Sequence, residues 1–444
     1  MNDTTPPTIH APAPTLRPTF AEAFRFWLKL GFISFGGPSG QIAIMHAELV
    51  EKKQWISEGR FLHALNYCML LPGPEAQQLS IYLGWLLHRT WGGIVAGAFF
   101  VLPSALILWL LSLVYVTYGK LPVVIAIFDG LKPAVIAIVA AAVLRIGSRA
   151  LKNAVMWTLA ALAFAAIYFL GAPFPLIIAA AALVGFVGGV VWPEKFQVLK
   201  GQPEGLAGGV MDEAAGNLVA PSWGRALRIV AVCLVAWWGP ILATGWLLGW
   251  QHTLWRQGLF FGKAAMVTFG GAYAVLPYVS QQAVAQSHWL GAGQMMDGLA
   301  LAETTPGPLI MVLQFVGFVG AWQQPAPFPP LVAATLGAAI TTWATFVPCF
   351  LWIFLGAPYI ERLREHARLN AALSAITAAV VGVILNLAVW FALHVLVPAG
   401  QAVNWWGAAV ALVAFVGMQR WTWNIGAVVA GAAGLGLLKW GLGL

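Results

Sequence analysis

The chain has 444 residues, 60% of them hydrophobic and only 9% charged, and it carries a net charge of +8. Soluble globular domains carry about 25% charged residues, so this composition excludes a soluble enzyme or binding module. The basic residues sit in short clusters between apolar segments, which is a topogenic bias and excludes nucleic acid as a partner.

No Asp, Glu, Lys or Arg occurs in Thr90–Gly119, Ala154–Pro193, Ile229–Trp255, Thr304–Ile360 or Leu369–Gln419. A helix crosses the hydrocarbon core with about 20 apolar residues, so the longer runs hold more than one pass. A membrane barrel would show short alternating strands instead. The expected fold is an all-α polytopic membrane protein embedded in the lipid bilayer.

In chain order, residues 1–19 are rich in Pro and Thr, lack an apolar core, and read as a disordered tail and not a signal peptide. Residues 20–192 form a first membrane repeat. Its segments are Phe20–Lys53 (broken at Gly36-Gly37-Pro38), Phe61–Leu87 (broken at Pro72-Gly73-Pro74), Trp91–Gly119, Leu121–Ile146, Ala154–Leu170 and Pro175–Trp192. Residues 193–224 turn polar and Gly-rich, with Glu194, Lys195, Lys200, Glu204, Asp212 and Glu213, and read as a cytoplasmic linker. Residues 225–444 form the second repeat, with segments Ala226–Gly249, Gly258–Ala283, Met295–Trp322, Leu331–Ile360, Ala371–Val397, Trp405–Met418 and Ile425–Leu442.

The repeat is written in the motifs. Phe35-Gly36-Gly37 recurs as Phe269-Gly270-Gly271 and Pro72-Gly73-Pro74 as Pro306-Gly307-Pro308, at offsets of 269 − 35 = 234 and 306 − 72 = 234. Trp55 falls on Trp289 and Gly59 on Gly293 at the same offset, without a gap. Two Gly/Pro-interrupted apolar segments at matching places in two halves are the signature of a secondary transporter with its site near the midplane.

Basic residues set the expected orientation. Arg17, Arg25 and Lys29 put the N-terminus in the cytoplasm, and Arg145, Arg149 and Lys152 do the same for the loop after Leu121–Ile146. Lys52, Lys53 and Arg60 flank Trp55, whereas Ser280–Gln294 around Trp289 carries no Lys or Arg. The two repeats are therefore expected to be inverted in topology, with Gly/Pro-broken helices or re-entrant hairpins; both readings of the broken segments stay open.

A Gly-Gly-Pro or Pro-Gly-Pro inside a membrane segment frees backbone groups that lipid cannot satisfy, so such backbone faces protein or a wet cavity. Pro38, Pro74 and Pro308 are expected at the first helical position of half-helices, whose N-termini carry unpaired donors suited to an anion. The candidate substrate-binding residues are Gly36, Gly37, Pro38, Ser39 and Gln41; Pro72, Gly73, Pro74 and Gln77; Gly270, Gly271 and Tyr273; and Thr304, Thr305, Pro306, Gly307 and Pro308. His46, Asn66, Tyr67, Gln78 and Gln314 are the other polar residues around the breaks. Glu75 and Glu303 are the carboxylates tied to the breaks. An acid at membrane depth is costly and usually functional, so the pair are candidates to carry a proton; capping freed helix N–H groups is the competing role.

Lys132, in Phe128-Asp129-Gly130-Leu131-Lys132-Pro133, can pair with Asp129 three residues back or meet an anion, and is carried as a further candidate. Arg145 reads as topogenic and His394 as a packed side chain. Cys68, Cys233 and Cys349 lie singly in apolar runs and read as small core residues, with no metal or disulfide spacing. No motif calls for a cofactor.

The strings Phe35-Gly36-Gly37-Pro38 with Gln41 and His46, Leu71-Pro72-Gly73-Pro74-Glu75-Ala76-Gln77-Gln78, and Ala302-Glu303-Thr304-Thr305-Pro306-Gly307-Pro308 resemble the chromate ion transporter family, in particular its long-chain, two-domain bacterial members. The resemblance covers residues 20–395. It implies a bacterial inner-membrane protein that exports chromate and confers chromate resistance, with sulfate or another tetrahedral oxyanion as the alternative substrate. With no P-loop in the chain, energy should come from an ion gradient, and proton coupling through Glu75 or Glu303 is expected. A membrane oxyanion reductase is the competing class, but the sequence has no Cys cluster or paired His suited to haem. The oligomeric state, a homodimer included, is left open.

Overall fold

The structure, a computed structural model, describes residues 18–35, 37–196, 222–357, 367–398, 400 and 402–443. Residues 1–17 of the expected tail, Arg17 among them, and 197–221 of the expected linker lie outside the described residues.

Among the described residues every regular element is helical. The elements are α1 (Phe20–Ile33), α2 (Gly37–His46), a π-helical turn (Ala47–Lys52), α3 (Glu58–Cys68), α4 (Glu75–Tyr118), α5 (Pro122–Ala150), α6 (Ala154–Leu170), α7 (Phe174–Val191) and the short α8 (Pro193–Phe196). They continue with α9 (Trp223–Leu248), α10 (Thr253–Met266), α11 (Ala272–Ser280), a second π-helical turn (Gln281–Gln286), α12 (Ala292–Thr304), a 3-10 turn (Leu309–Met311) and α13 (Val312–Gln323). The last are α14 (Pro330–Gly356), α15 (Ala367–Leu396), α16 (Trp405–Arg420) and α17 (Ile425–Gly441). Six of these helices, α4, α5, α7, α9, α14 and α15, are long and apolar enough to cross a membrane. The protein is an all-α, multi-pass membrane protein.

The ends of the elements follow local chemistry. Thr19 starts α1 with a capping box, its hydroxyl accepting from the Glu22 N–H while the Glu22 carboxylate accepts from the Thr19 N–H. Asn153, Asn404 and Asn424 cap α6, α16 and α17 through their side-chain oxygens, each accepting a first-turn N–H.

The two motif blocks share more than their motifs. The π-helical turns Ala47–Lys52 and Gln281–Gln286 coincide at the 234-residue offset. Gln54 and His288, also 234 apart, each hold φ of 50°. The following Trp55 N–H donates to Leu49 O at 2.9 Å, and the Trp289 N–H to Ala283 O at 2.8 Å. In the first turn Lys52 Nζ also donates to Glu48 Oε1 at 2.7 Å, an i, i+4 ion pair.

The half-helices are short. At 1.5 Å per residue, α2, α3, α11 and α12 are each roughly 14–20 Å long, less than the hydrocarbon core of about 30 Å. Within α4 the helix doubles back at His88 (φ −137°, ψ 33°) and Arg89 (φ 54°, ψ −147°). A Cβ on Gly84 would run into Gly92 O, and one on Gly92 into Gly84 O. In a continuous helix those residues would stand about 12 Å apart, so residues 75–87 lie against residues 90–118. In the other half α13 returns along α14 in the same manner, and a Cβ on Gly337 would run into Gly317 O. Small residues let membrane helices approach this closely.

The halves interlock. One core cluster joins Trp27, Leu30, Phe61 and Phe100 to Cys349 and Ile353 of α14. The larger one joins α5 to the second half. There Gly130 meets Ala432 O and Gly436 meets Ala126 O, each with room for no Cβ. Cys68 and Cys349 are buried and free, and Cys233 is half-buried and free.

Candidate functional site

The four breaks are joined by backbone hydrogen bonds between the halves. The Gly73 N–H donates to Thr268 O at 2.7 Å, and the Gly307 N–H donates to Ser34 O at 2.7 Å. These bonds are equivalent at the 234-residue offset: each Pro-Gly-Pro turn holds the residue that precedes the Phe-Gly-Gly of the other half. The acceptors are built alike, with Ser34 Oγ donating to Leu30 O and Thr268 Oγ1 to Ala264 O, both at 2.7 Å. Buried Gln41 closes the group, its Nε2 donating to Gly307 O at 2.5 Å and to Ser34 O at 3.4 Å.

Positive φ at Gly37 (67°), Gly73 (122°), Gly270 (78°), Gly271 (91°) and Gly307 (106°) explains why these turns are made of glycine. The glycines differ in their surroundings. A Cβ on Gly307 would sit 2.6 Å from Ser104 Oγ, and one on Gly73 2.9 Å from Gln78 Nε2. Nothing lies within 4 Å of a Cβ built on Gly37 or Gly271. The Pro-Gly-Pro glycines are packed, whereas Gly37 and Gly271 face open space. Gly36 and the side chain of Ser39 lie outside the described residues.

The prolines sit slightly off the expected position. Pro38 is the second residue of α2, but Pro74 and Pro308 stand one residue before the first helical residues Glu75 and Leu309. Proline's φ suits either place, and neither Pro74, Pro308 nor the Gly271 that precedes α11 has a side chain able to accept a hydrogen bond. The first-turn N–H groups behind them are therefore not capped by the preceding side chain.

Around these N-termini lie buried polar atoms without protein partners. Both amide atoms of Gln77, Oε1 of Gln78 and Oγ of Ser104 have none. Gln78 Nε2 donates to Pro72 O at 2.7 Å. Buried polar groups in native structures are nearly always satisfied, so this concentration marks a place where water or a ligand belongs. The Thr304 and Thr305 hydroxyls donate to Leu301 O at 2.8 Å and Ala302 O at 3.1 Å. Ser104, on the long arm of α4, was not legible in the sequence.

Tyr273 donates its hydroxyl to Glu303 Oε1, which joins the second Phe-Gly-Gly to the second Pro-Gly-Pro. Glu75 opens α4 directly after Pro74. No cation forms an ion pair with either acid among the described residues; Arg149 acts on Glu75, and Arg145 on Glu303, only at longer range. The two arginines lie four residues apart near the end of α5, on one face of the helix. Sequence reasoning gave Arg145 a topogenic role, with reach into a cytoplasmic vestibule as the alternative; the i, i+4 spacing adds that Arg145 and Arg149 share a helix face.

Other candidates stand apart from the breaks. Lys132 Nζ pairs with Asp129 Oδ1 at 3.1 Å and lines a cavity beside Gly293. That cavity lies eleven residues along α12 from Thr304, roughly 16 Å at the helical rise. His46 ends α2 between Glu51 Oε1 at 3.1 Å and Glu58 Oε2 at 2.6 Å. Asp297, a buried acid on α12, accepts from Tyr115 Oη at 2.8 Å while its Oδ1 has no partner.

Comparison with known proteins agrees with the motifs. The chromate transporter family model matches residues 21–186 and 255–437. The chain is 31% identical to a chromate transport protein of Cupriavidus metallidurans over 100% of this chain and 99% of that protein. It is 31% identical to a chromate transport protein of Pseudomonas aeruginosa, over 82% of this chain and 79% of that one. No solved structure matches it. The chain belongs to the chromate transporter family and is a transporter, not an enzyme.

Proposed function

We propose that this protein exports chromate across the bacterial inner membrane by secondary active transport, binding the oxyanion where the four helix breaks meet. The observation that carries this reading is the reciprocal pair of bonds, Gly73 to Thr268 and Gly307 to Ser34. It gathers uncapped helix N-termini around the unpartnered Gln77 amide and Ser104 hydroxyl. Donors and partial positive charge suit a dianion that sheds its water, with Glu75 and Glu303 as the acids beside them. The names of the relatives support chromate as that anion. Energy comes from protons carried by Glu75 or Glu303.

Reconstituted vesicles test this directly. Chromate should move against its gradient when a pH gradient is imposed, with excess sulfate competing weakly. The chromium should remain Cr(VI) throughout. Recovery of Cr(III) would point to a reductase, and flux that sulfate abolishes at equal concentration would make sulfate the substrate.

The two repeats are inverted in this reading, with a cytoplasmic N-terminus. Reciprocal contacts between equivalent residues are what a two-fold relation between halves produces, and the basic residues near Trp55 have no counterpart near Trp289. Reporter fusions beside Trp55 should report cytoplasm and those beside Trp289 periplasm. The same side for both would end the inverted arrangement.

A further inference from the structure

A cavity of about 420 Å³ opens at the start of α12, away from the breaks. Its lining includes Asp129, Lys132, Gly293, His394, Trp406 and Lys439. These come from α5, α12, α15, α16 and α17, so the cavity exists only once both halves are packed together. We propose that it is a second anion site, which takes a hydrated tetrahedral oxyanion such as sulfate or chromate.

Three sources of positive charge meet there. Lys439 Nζ stands 4.7 Å from the centre of the Trp406 ring, a placement that holds an ammonium without neutralising it. Lys439 has no ion pair among the described residues. Lys132 supplies a second ammonium, offset by its bond to Asp129. The third source is the N-terminus of the 13-residue α12, whose first two residues, Ala292 and Gly293, line the cavity. Gly291 precedes them and has no side chain to accept from their N–H groups. A Cβ on Gly293 would have only Lys132 Cε near it, at 4.0 Å, so the lysine stem lies over this helix end.

The equivalent helix end in the first half is filled. Position 58, equivalent to 292, is Glu58, and its carboxylate meets His46 Nε2 at 2.6 Å. Where the first half has its own anion, the second has Ala292 and an open cavity. Two carboxylates, Asp129 in the lining and the buried Asp297 one turn along α12, stand against two ammonium groups and a helix N-terminus. Lys439, without an ion pair among the described residues, is the positive charge left to hold an anion. At about 30 Å³ per water, the space holds an oxyanion with much of its hydration shell. The break site, by contrast, is built to replace that shell.

Equilibrium dialysis of the purified full-length chain against labelled sulfate and chromate tests the proposal. Lys439→Gln and Lys132→Gln should each weaken one component of the binding isotherm about tenfold, as expected for a lost charge-assisted hydrogen bond. Ala292→Glu, which installs the first half's carboxylate at a position where helices favour it, should abolish that component. Gly271→Leu, at the breaks, should leave it in place, so the two sites fail separately. An isotherm unchanged in all three cavity variants overturns the proposal. A phosphate headgroup has the same chemistry, and nanodiscs distinguish it. If phosphatidylglycerol, added to phosphatidylcholine discs, removes the component, the occupant is a lipid and the free-anion site is overturned. Equal binding in both disc types supports it.

Discussion

Gly37→Leu and Gly271→Leu should each lower chromate flux by about 100-fold or more, the scale on which small misplacements disable a site, while leaving membrane insertion intact. Both glycines hold positive φ, at 67° and 91°, and both face open space. Two effects are therefore separable. Any side chain adds backbone strain of roughly 1–2 kcal/mol, and only a large one fills the space. Gly37→Ala and Gly271→Ala carry the strain alone and should retain much of the flux. If Ala and Leu variants lose flux equally, strain is the cause and the open space is not where the anion sits. If neither Leu variant loses flux, the glycines only kink packed helices.

The sequence made the skeleton of this site readable because Gly and Pro motifs record backbone geometry. Phe35-Gly36-Gly37 and Pro72-Gly73-Pro74 could be placed at helix breaks without knowing any neighbour. The long-range partners could not. That Gly73 reaches Thr268 and Gly307 reaches Ser34 depends on how the halves dock. Ser104 and Asp297 have ordinary settings in the sequence and acquire meaning only from a buried oxygen left without a partner, Oγ of the one and Oδ1 of the other. The reversal at His88 and Arg89 contains no Gly or Pro, so the sequence suggested only a gap between Leu87 and Trp91. The cavity at Lys132 needs α16 and α17, the segments farthest from the motifs.

The arrangement on α5 links these places. Arg145 and Arg149 sit near its C-terminal end, where their charge reaches Glu303 and Glu75, while Lys132 faces the cavity thirteen residues before Arg145. Thirteen residues of helix span about 20 Å. One helix thus carries positive charge both to the acids beside the breaks and to the cavity, across much of the thickness of a hydrocarbon core.

Glu75→Gln and Glu303→Gln should bind chromate but lose the response of flux to an imposed pH gradient, in at least one of the two. Each acid sits beside a helix break in apolar surroundings, where an ionised carboxylate costs about 2.5–3.5 kcal/mol. Gln keeps the shape and still accepts a hydrogen bond, so the Tyr273 hydroxyl retains its partner at position 303. What Gln removes is the proton. Tyr273→Phe makes the opposite change, removing the donor and leaving the acid, and should keep the coupling while shifting its pH midpoint. If the carboxylates only cap freed N–H groups, Gln should serve nearly as well and the pH response should survive in both variants. A Glu75→Gln/Glu303→Gln double variant that still concentrates chromate at the expense of a proton gradient would sink the role of both acids. The proton would then have to travel through Asp297, a further buried carboxylate with an oxygen left unpartnered.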